Sequence, residues 1–178
     1  MSKRLCIVIP MYNSEAFIER TLESIGASNL PPDFYDILVV NDGSTDKGAE
    51  IVERMAAGKQ NIRLINQENG GSSKARNTGI DNADAEYIWF FDSDDTAESN
   101  LMVIPELLER IPGLDVYAFH YNWIRDGKFV GVGGSQPTVT HNRVMSGRDA
   151  VMQDYTPGSV CGLLLKRAFL LDSGLRFK

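Results

Sequence analysis

The chain has 178 residues, 43% of them hydrophobic and 24% charged, a balance that fits one globular domain with a true core. Its formal net charge of −6 argues against a nucleic-acid backbone as partner. No apolar run approaches the roughly 20 residues of a membrane helix, and the basic N-terminus leads into a short run broken by Pro10, which does not fit a secretion signal. Cys6 lies in an apolar run and Cys161 beside another, as expected of two buried thiols in a reducing compartment rather than a disulfide. A cytoplasmic chain follows, with docking at a membrane surface left open.

The first half alternates. "RLCIVIP" is a continuous apolar run with β-branched residues, so a strand buried on both faces. "SEAFIERTLESIGAS" puts Phe17, Ile18, Thr21, Leu22 and Ile25 on one helical face. "YDILVVN" is a second buried strand, and "TDKGAEIVERMAA" a helix with Ile51, Val52 and Met55 on its inner stripe. "IRLINQ" is a third strand, "SSKARNTGIDNA" a short helix and "EYIWFF" a fourth strand. Such alternation predicts an α/β fold: a three-layer α/β/α sandwich around a mostly parallel central sheet.

The second half is less regular. "NLMVIPELLERI" reads as a helix that Pro105 either kinks or opens as a first-turn residue. "LDVYAFHYNWI" and "RDGKFVGV" form a hairpin turned at Asp126-Gly127. "GGSQPTVTHN" reads as a loop, "GRDAVMQDY" as a helix, and "SVCGLLLKRAFLL" as a strand running into a helix. With no internal repeat or low-complexity linker, the expectation is one domain over residues 1–178.

In an open α/β sheet, ligands bind beyond the carboxyl ends of the strands. The four strand ends deliver Pro10, Met11, Tyr12 and Asn13; Asn41, Asp42, Gly43 and Ser44; Asn69 to Ser73 with Lys74 and Arg76; and Asp92, Asp94 and Asp95. Each cluster taken alone is ordinary turn or cap chemistry. Together they put carboxylates, amides, glycines and one aromatic on a single edge, which points to a ligand site. Three crowded carboxylates repel unless a cation joins them, and oxygen-only ligands favour Mg²⁺ or Mn²⁺ over zinc. The glycines and helix start near residue 72 would let main-chain N–H groups approach an anion. His120 and His141 have no metal-type spacing, and neither Ser-His-Asp nor Cys-His pairing presents itself.

"VIPMYN", "VVNDGSTD", "ENGGSSKARNTGI" and "YIWFFDSDD" occur in that order, followed by "SVCGLLLKRAFLLDSGLRF". This resembles the nucleotide-sugar glycosyltransferases of family 2, with a GT-A, Rossmann-like fold. The resemblance covers most of the chain and is weakest between about residues 112 and 145. It implies a nucleotide-sugar donor, commonly a UDP-sugar, in a half of about 1–100, and a partial acceptor-side half of about 101–178. By the same resemblance Pro10 and Tyr12 frame the base and Asp42 hydrogen-bonds it. Arg76 holds the nucleotide, Asp92 sits near ribose or metal, Asp94 is the principal metal ligand, and Asp95 lies towards donor sugar or metal. Asn41 stands where many members have a second aspartate.

The family's base is an acidic residue of a Glu-Asp pair beyond the segment matched by "GLRF". No such pair occurs in these 178 residues, so the expectation is a C-terminally shortened chain whose base lies past Lys178. The resemblance further implies inversion, a saccharide or lipid-linked acceptor, and work at the inner face of the cell membrane in surface-polysaccharide synthesis. Two other readings stand beside it. "FFDSDDT" fits the D-x-D-x-T signature of haloacid-dehalogenase-like phosphatases, with Asp92 as nucleophile, although three strand–helix units precede it. A nucleotide-sugar binding module without transfer is the non-enzymatic alternative.

Overall fold

The computed structural model describes residues 3–125, 128–133, 144–152 and 158–178. They form two compact units, Met1–Asp115 with Leu165–Lys178, and Val116–Leu164. The sequence reading divides the chain at about residue 100; the units divide after Asp115 and after Leu164.

The first unit alternates as the apolar runs predict: β1 (Lys3–Met11), α1 (Ile18–Gly26), β2 (Tyr35–Asn41), α2 (Gly48–Ala56), β3 (Ile62–Asn66), α3 (Ser72–Asn82), β4 (Ala85–Phe90) and α4 (Val103–Arg110). The chain returns to it through the end of β8 (Leu163–Lys166) and α6 (Arg167–Ser173). Its sheet runs β3-β2-β1-β4-β8, and the β1–β2, β1–β4 and β2–β3 pairs are parallel. Ile7 stands opposite both Ile37 and Trp89, so the middle of β1 has a strand on each side. Leu5 to Ile9 are wholly buried, as are Leu38 to Val40 and Tyr87, Ile88 and Phe90. Each such side chain contributes about 1.5–3 kcal/mol of burial. The one polar tip among these, the Tyr87 hydroxyl, donates to the Leu114 carbonyl at 3.1 Å.

Helices cover both faces. Successive side chains of a strand point to opposite sides. Gly79 of α3 lies against Val8, whereas Gly48 of α2 lies against Met11, an odd number of positions along β1. α3 and α2 therefore occupy opposite layers, and α1 packs with α2. Gly79 permits the close approach of α3, since an added Cβ would run into the Val8 side chain.

The local readings are refined at three places. Phe17 is not on the inner face of α1 but 43% exposed. The Ser14 carbonyl accepts the N–H groups of both Phe17 and Ile18, so the chain makes a turn there and the helix proper begins at Ile18. The helix after β3 fills all but the last residue of its predicted segment, and its eleven residues make it the longest of the described helices. Pro105 is the third residue of α4, within the first turn, where its missing N–H costs no helical bond.

The second unit holds β5 (Val116–Ala118), then β6 (Tyr121–Arg125) and β7 (Lys128–Gly133) as an antiparallel hairpin, and α5 (Gly147–Met152). The predicted hairpin thus begins at Tyr121, and Leu114–Phe119 is not part of it. Ser146 caps α5, its hydroxyl accepting the Asp149 N–H at 3.0 Å and donating to the Asp149 carboxylate at 2.7 Å. The Asp126-Gly127 turn, the loop from Gly134 to Asn142 with His141, and the end of the helix predicted to reach Tyr155 lie outside the described residues. Neither Cys6 nor Cys161 forms a disulfide; Cys6 is buried in β1 and Cys161 is half-buried. No helix among the described residues is long and apolar enough to cross a membrane.

Candidate active site

From β1 the chain order runs outward through β2 to β3, while β4 lies on the other side of β1. This reversal opens a crevice at the carboxyl ends of β1 and β4, the position where open α/β sheets take ligands. Residues of β1 address its neighbours alternately: Val8 offers its carbonyl to Phe91 beside β4, and Met11 offers its own to Asp42 beside β2. Pro10 is in phase with Val8 and so faces the β4 side, but the β1–β4 register ends at Val8–Phe90. The N–H that Pro10 lacks is missing where the sheet has already parted. Proline is thereby tolerated in a central strand and marks the mouth of the crevice.

The loop after β2 supplies Asp42, only 2% exposed. Its Oδ1 accepts from Gln67 Nε2 at 2.5 Å and from the Gly70 N–H at 3.0 Å; its Oδ2 accepts the same Gly70 N–H at 3.1 Å and the Gly71 N–H at 2.7 Å. Gly71 is the N-cap of α3, with φ +87°, a backbone that disfavours any side chain. The main-chain donors expected to meet an anion at this helix start do meet one, and it is Asp42. Three donors make four contacts with this carboxylate, two on each oxygen, the Gly70 N–H being shared between them. Gln67 is itself held by the Thr78 hydroxyl at 2.6 Å. Neighbouring Asn41, 6% exposed, donates to Asn66 Oδ1 at 2.8 Å and accepts the Ser44 N–H at 3.1 Å, which makes it a brace between strand ends.

Asn13 and Ser44 are braces too. Asn13 accepts the Thr45 N–H at 2.8 Å and donates its own N–H to the Ser44 hydroxyl at 3.0 Å. Asp46 accepts the Glu15 N–H at 2.8 Å, and Glu15 returns the favour to the Lys47 N–H at 3.0 Å. For these residues the turn-and-cap reading suffices.

The aspartate loop after β4 is held from below by α1. Thr21, fully buried, brings its hydroxyl to 2.9 Å of the Ser93 carbonyl and 2.8 Å of the Asp95 carbonyl. Arg20 donates to the Asp94 carbonyl at 3.0 Å, Ser24 accepts the Ala97 N–H at 2.9 Å, and the Ser14 and Ser93 hydroxyls meet at 2.8 Å. With its main chain anchored, the loop gathers its carboxylates. Oxygen atoms of Asp92 and Asp95 lie within 4.8 Å of each other. Burial first, then the charges of Asp92 and Asp94, push the Asp95 carboxyl up to about 6. Asp95 remains open to solvent, which weakens both the burial and the like-charge contributions. Crowded oxygen donors with a raised proton affinity are the chemistry a hard divalent cation fits.

A countercharge on a carboxylate comes from α3. Arg76 of α3 donates from Nη2 to Asp92 Oδ1 at 3.0 Å, with its side chain 18% exposed. Its Nε is buried without a hydrogen-bond partner, and its guanidinium lies over the Phe177 ring at 5.6 Å. The crevice is a cavity of about 410 Å³ whose walls include Pro10, Tyr12, Asp42, Arg76, Asp92 and Asp94. Six of the seven predicted site residues therefore share one cavity, and the seventh, Asp95, has its carboxylate beside that of Asp92. Tyr12 is 52% exposed, its ring open to a stacking partner. Lys74 is turned back to the Glu68 carbonyl at 3.2 Å. A somewhat larger depression of about 470 Å³ lies between α1 and α2; charges of both signs line it, including the Arg54–Glu19 pair, and no predicted site residue does.

Sequence reasoning passed over Gln67, Ser14, Arg20 and Ser24. Thr21 carried a usable signal, a hydroxyl on the apolar stripe of α1. Gln67 carried none, since it reads as the polar end of a strand.

Residues 6–162 match the model of glycosyl transferase family 2. The chain belongs to this family. Among curated glycosyltransferases it is 46% identical over 93 residues to EpsJ of Bacillus subtilis, covering 52% of this chain and 26% of that one. With GlyG of Streptococcus pneumoniae it shares 34% over 134 residues, 72% of this chain and 43% of the relative. With the poly(ribitol-phosphate) beta-N-acetylglucosaminyltransferase TarS of Staphylococcus aureus it shares 35% over 94 residues, 52% and 16% respectively. It spans less than half the length of these curated relatives. Crystal structures of S. aureus TarS 1-349 in complex with UDP and with UDP-GlcNAc superpose with TM-scores of 0.75 and 0.77 at 23% and 24% identity, over 98% of this chain and about half of theirs. That likeness confirms the GT-A fold. Family 2 membership also decides between the two enzymatic readings of the aspartate motif in favour of the transferase.

Proposed function

We propose that the β1–β4 crevice binds a UDP-sugar and that the protein transfers the sugar to an acceptor hydroxyl. The observation that carries this reading is the meeting of Tyr12, Asp42, Arg76 and the aspartate loop around one cavity at the switch point of the sheet. In this assignment Tyr12 stacks on the uracil, beside Pro10, and Asp42, in the crevice wall, hydrogen-bonds the base by letting go of the shared Gly70 N–H on one oxygen. Arg76 turns its unused N–H groups to the anionic part of the donor. Relatives support the choice of donor and pathway: TarS structures hold UDP and UDP-GlcNAc, and two relatives are named for glycosylating poly(ribitol-phosphate).

Asp92 and Asp94, with Asp95 beside them, would hold Mg²⁺ or Mn²⁺, which neutralises the charge that builds on the leaving diphosphate. The chain's own residues bind and orient. Thr21 and Arg20 fix the loop main chain, Asp42 fixes the glycine turn, and Arg76 restrains Asp92. Attack by the acceptor oxygen on the anomeric carbon opposite the diphosphate inverts that centre, and a carboxylate base takes the hydroxyl proton. The acceptor is a saccharide of a surface polymer, presented on a lipid carrier at the inner face of the membrane.

Calorimetric titration with UDP and UDP-sugars, in Mn²⁺ and then in EDTA, tests the donor site. Binding that EDTA abolishes, and that GDP and TDP do not reproduce, is the expected outcome. Equal binding with and without metal would remove the cation from the site, and preference for another nucleotide would remove the uracil assignment.

A further inference from the structure

We infer that Phe177 is a positioning residue for Arg76, holding the guanidinium in the orientation that restrains Asp92 and faces the crevice. The inference rests on the donor reading above for its functional meaning. After α6 the chain turns at Gly174, φ +66°, and runs back along α3. Three residues of α3 spaced by four, and hence on one stripe, fasten it there. Asp81 pairs with Arg176 at 3.0 Å; Asn77 accepts the Phe177 N–H at 3.0 Å and donates to the Phe177 carbonyl at 2.9 Å; Ser73 donates to the Lys178 carbonyl at 2.9 Å. The reciprocal Asn77 pair fixes the main chain of one residue, and that residue's ring is where Arg76 rests.

The ring itself is braced. It meets Phe90, the last residue of β4, edge to face at 5.1 Å and 81°. Its other contact of note is the Arg76 guanidinium, 5.6 Å from the ring centroid, within the range of a cation–π interaction. Arg76 has one ion-pair hydrogen bond, to Asp92, and a buried Nε with no acceptor. One hydrogen bond alone leaves a long side chain rotational freedom that a bound anion would have to remove. The Phe177 face removes it beforehand.

The test compares Phe177→Leu, which keeps apolar bulk and loses the ring, with Phe177→Tyr, which keeps the ring. The first readout is the Arg76 Nε–H resonance. It is expected to be displaced by the ring current in the native and Tyr proteins, and to lose that displacement and exchange faster with water in the Leu variant. An unchanged resonance in the Leu variant would overturn the inference, whether or not any nucleotide binds. The second is UDP affinity with Mn²⁺ in a cycle with Arg76→Ala. Phe177→Leu should weaken binding about 3- to 10-fold in the native background, the scale of one cation–π contact, and leave it unchanged in the Arg76→Ala background. Equal losses in both backgrounds would make Phe177 a merely structural residue and overturn the inference. If the native chain binds no UDP, the donor reading fails and the Arg76 resonance alone decides.

Discussion

The Asp42 carboxylate accepts the Gly71 N–H at 2.7 Å, so the acidic residue after β2 caps the helix that follows β3. A carboxylate is suited to that place because it only accepts, and three donors converge on it. Asp42→Asn would set an NH₂ group against donors. The expected cost is about 1–3 kcal/mol of stability, the penalty for a buried donor left unpaired. Urea unfolding checks it, and UDP affinity should fall in the same variant because the glycine turn loosens.

Thr21 supports the aspartate loop from a position sealed from water. Thr21→Val keeps the shape of the side chain and deletes the hydroxyl that lies against the carbonyls of Ser93 and Asp95. A loss of about 1–2 kcal/mol is expected. The sharper prediction is weaker Mn²⁺ binding, measured by calorimetry, since Thr21 touches no ligand and acts through the loop alone.

Asp95 gives the pH dependence its sign. Its folded-state value of about 6 lies above the ordinary 3.8 of a free aspartate. Between those two values the native state holds a proton that the unfolded chain has lost. The contribution of this group to stability therefore falls as pH rises from about 4 to about 6 and is constant above. Metal affinity runs the other way. Mn²⁺ should bind more tightly as pH rises through about 6, with proton release visible as a buffer-dependent heat, and Asp95→Asn should flatten that profile.

Gly79→Ala sets two effects against each other. Alanine gains about 1 kcal/mol of helix propensity over glycine. The new Cβ, however, meets the branched side chain of Val8 in a central strand with no room to turn. Overpacking of about 1–3 kcal/mol should win, lowering the thermal midpoint.

The sheet and the order of its elements were readable because parallel strands buried on both faces leave long apolar runs, and β1, β2 and β4 have them. The membership of the crevice was readable for the same reason: strand ends are fixed by where the apolar runs stop. The partners of the polar residues were not. Nothing in "NDGSTD" tells that Asp42 meets Gly70 and Gly71, while Asn13 meets Thr45, because these bonds join loops far apart in sequence. Phe17 misled because helical spacing predicts a face only once the helix has begun, and the turn at Ser14 delays it to Ile18. The span of α3 was legible to within one residue, but its packing was not, because Gly79 and a run of polar residues hide a helix that packs through its small residues.

Pro10 has one more consequence. Beyond Val8 the β4 side of β1 is an unzipped seam inside the sheet, and an ordinary residue there would expose an N–H able to recruit a passing strand or to draw the seam closed. Proline leaves nothing to recruit with. A ligand entering between β1 and β4, as proposed for the donor, would find a gap that no hydrogen-bonded ladder has to surrender, so the doorway is built into the covalent chain.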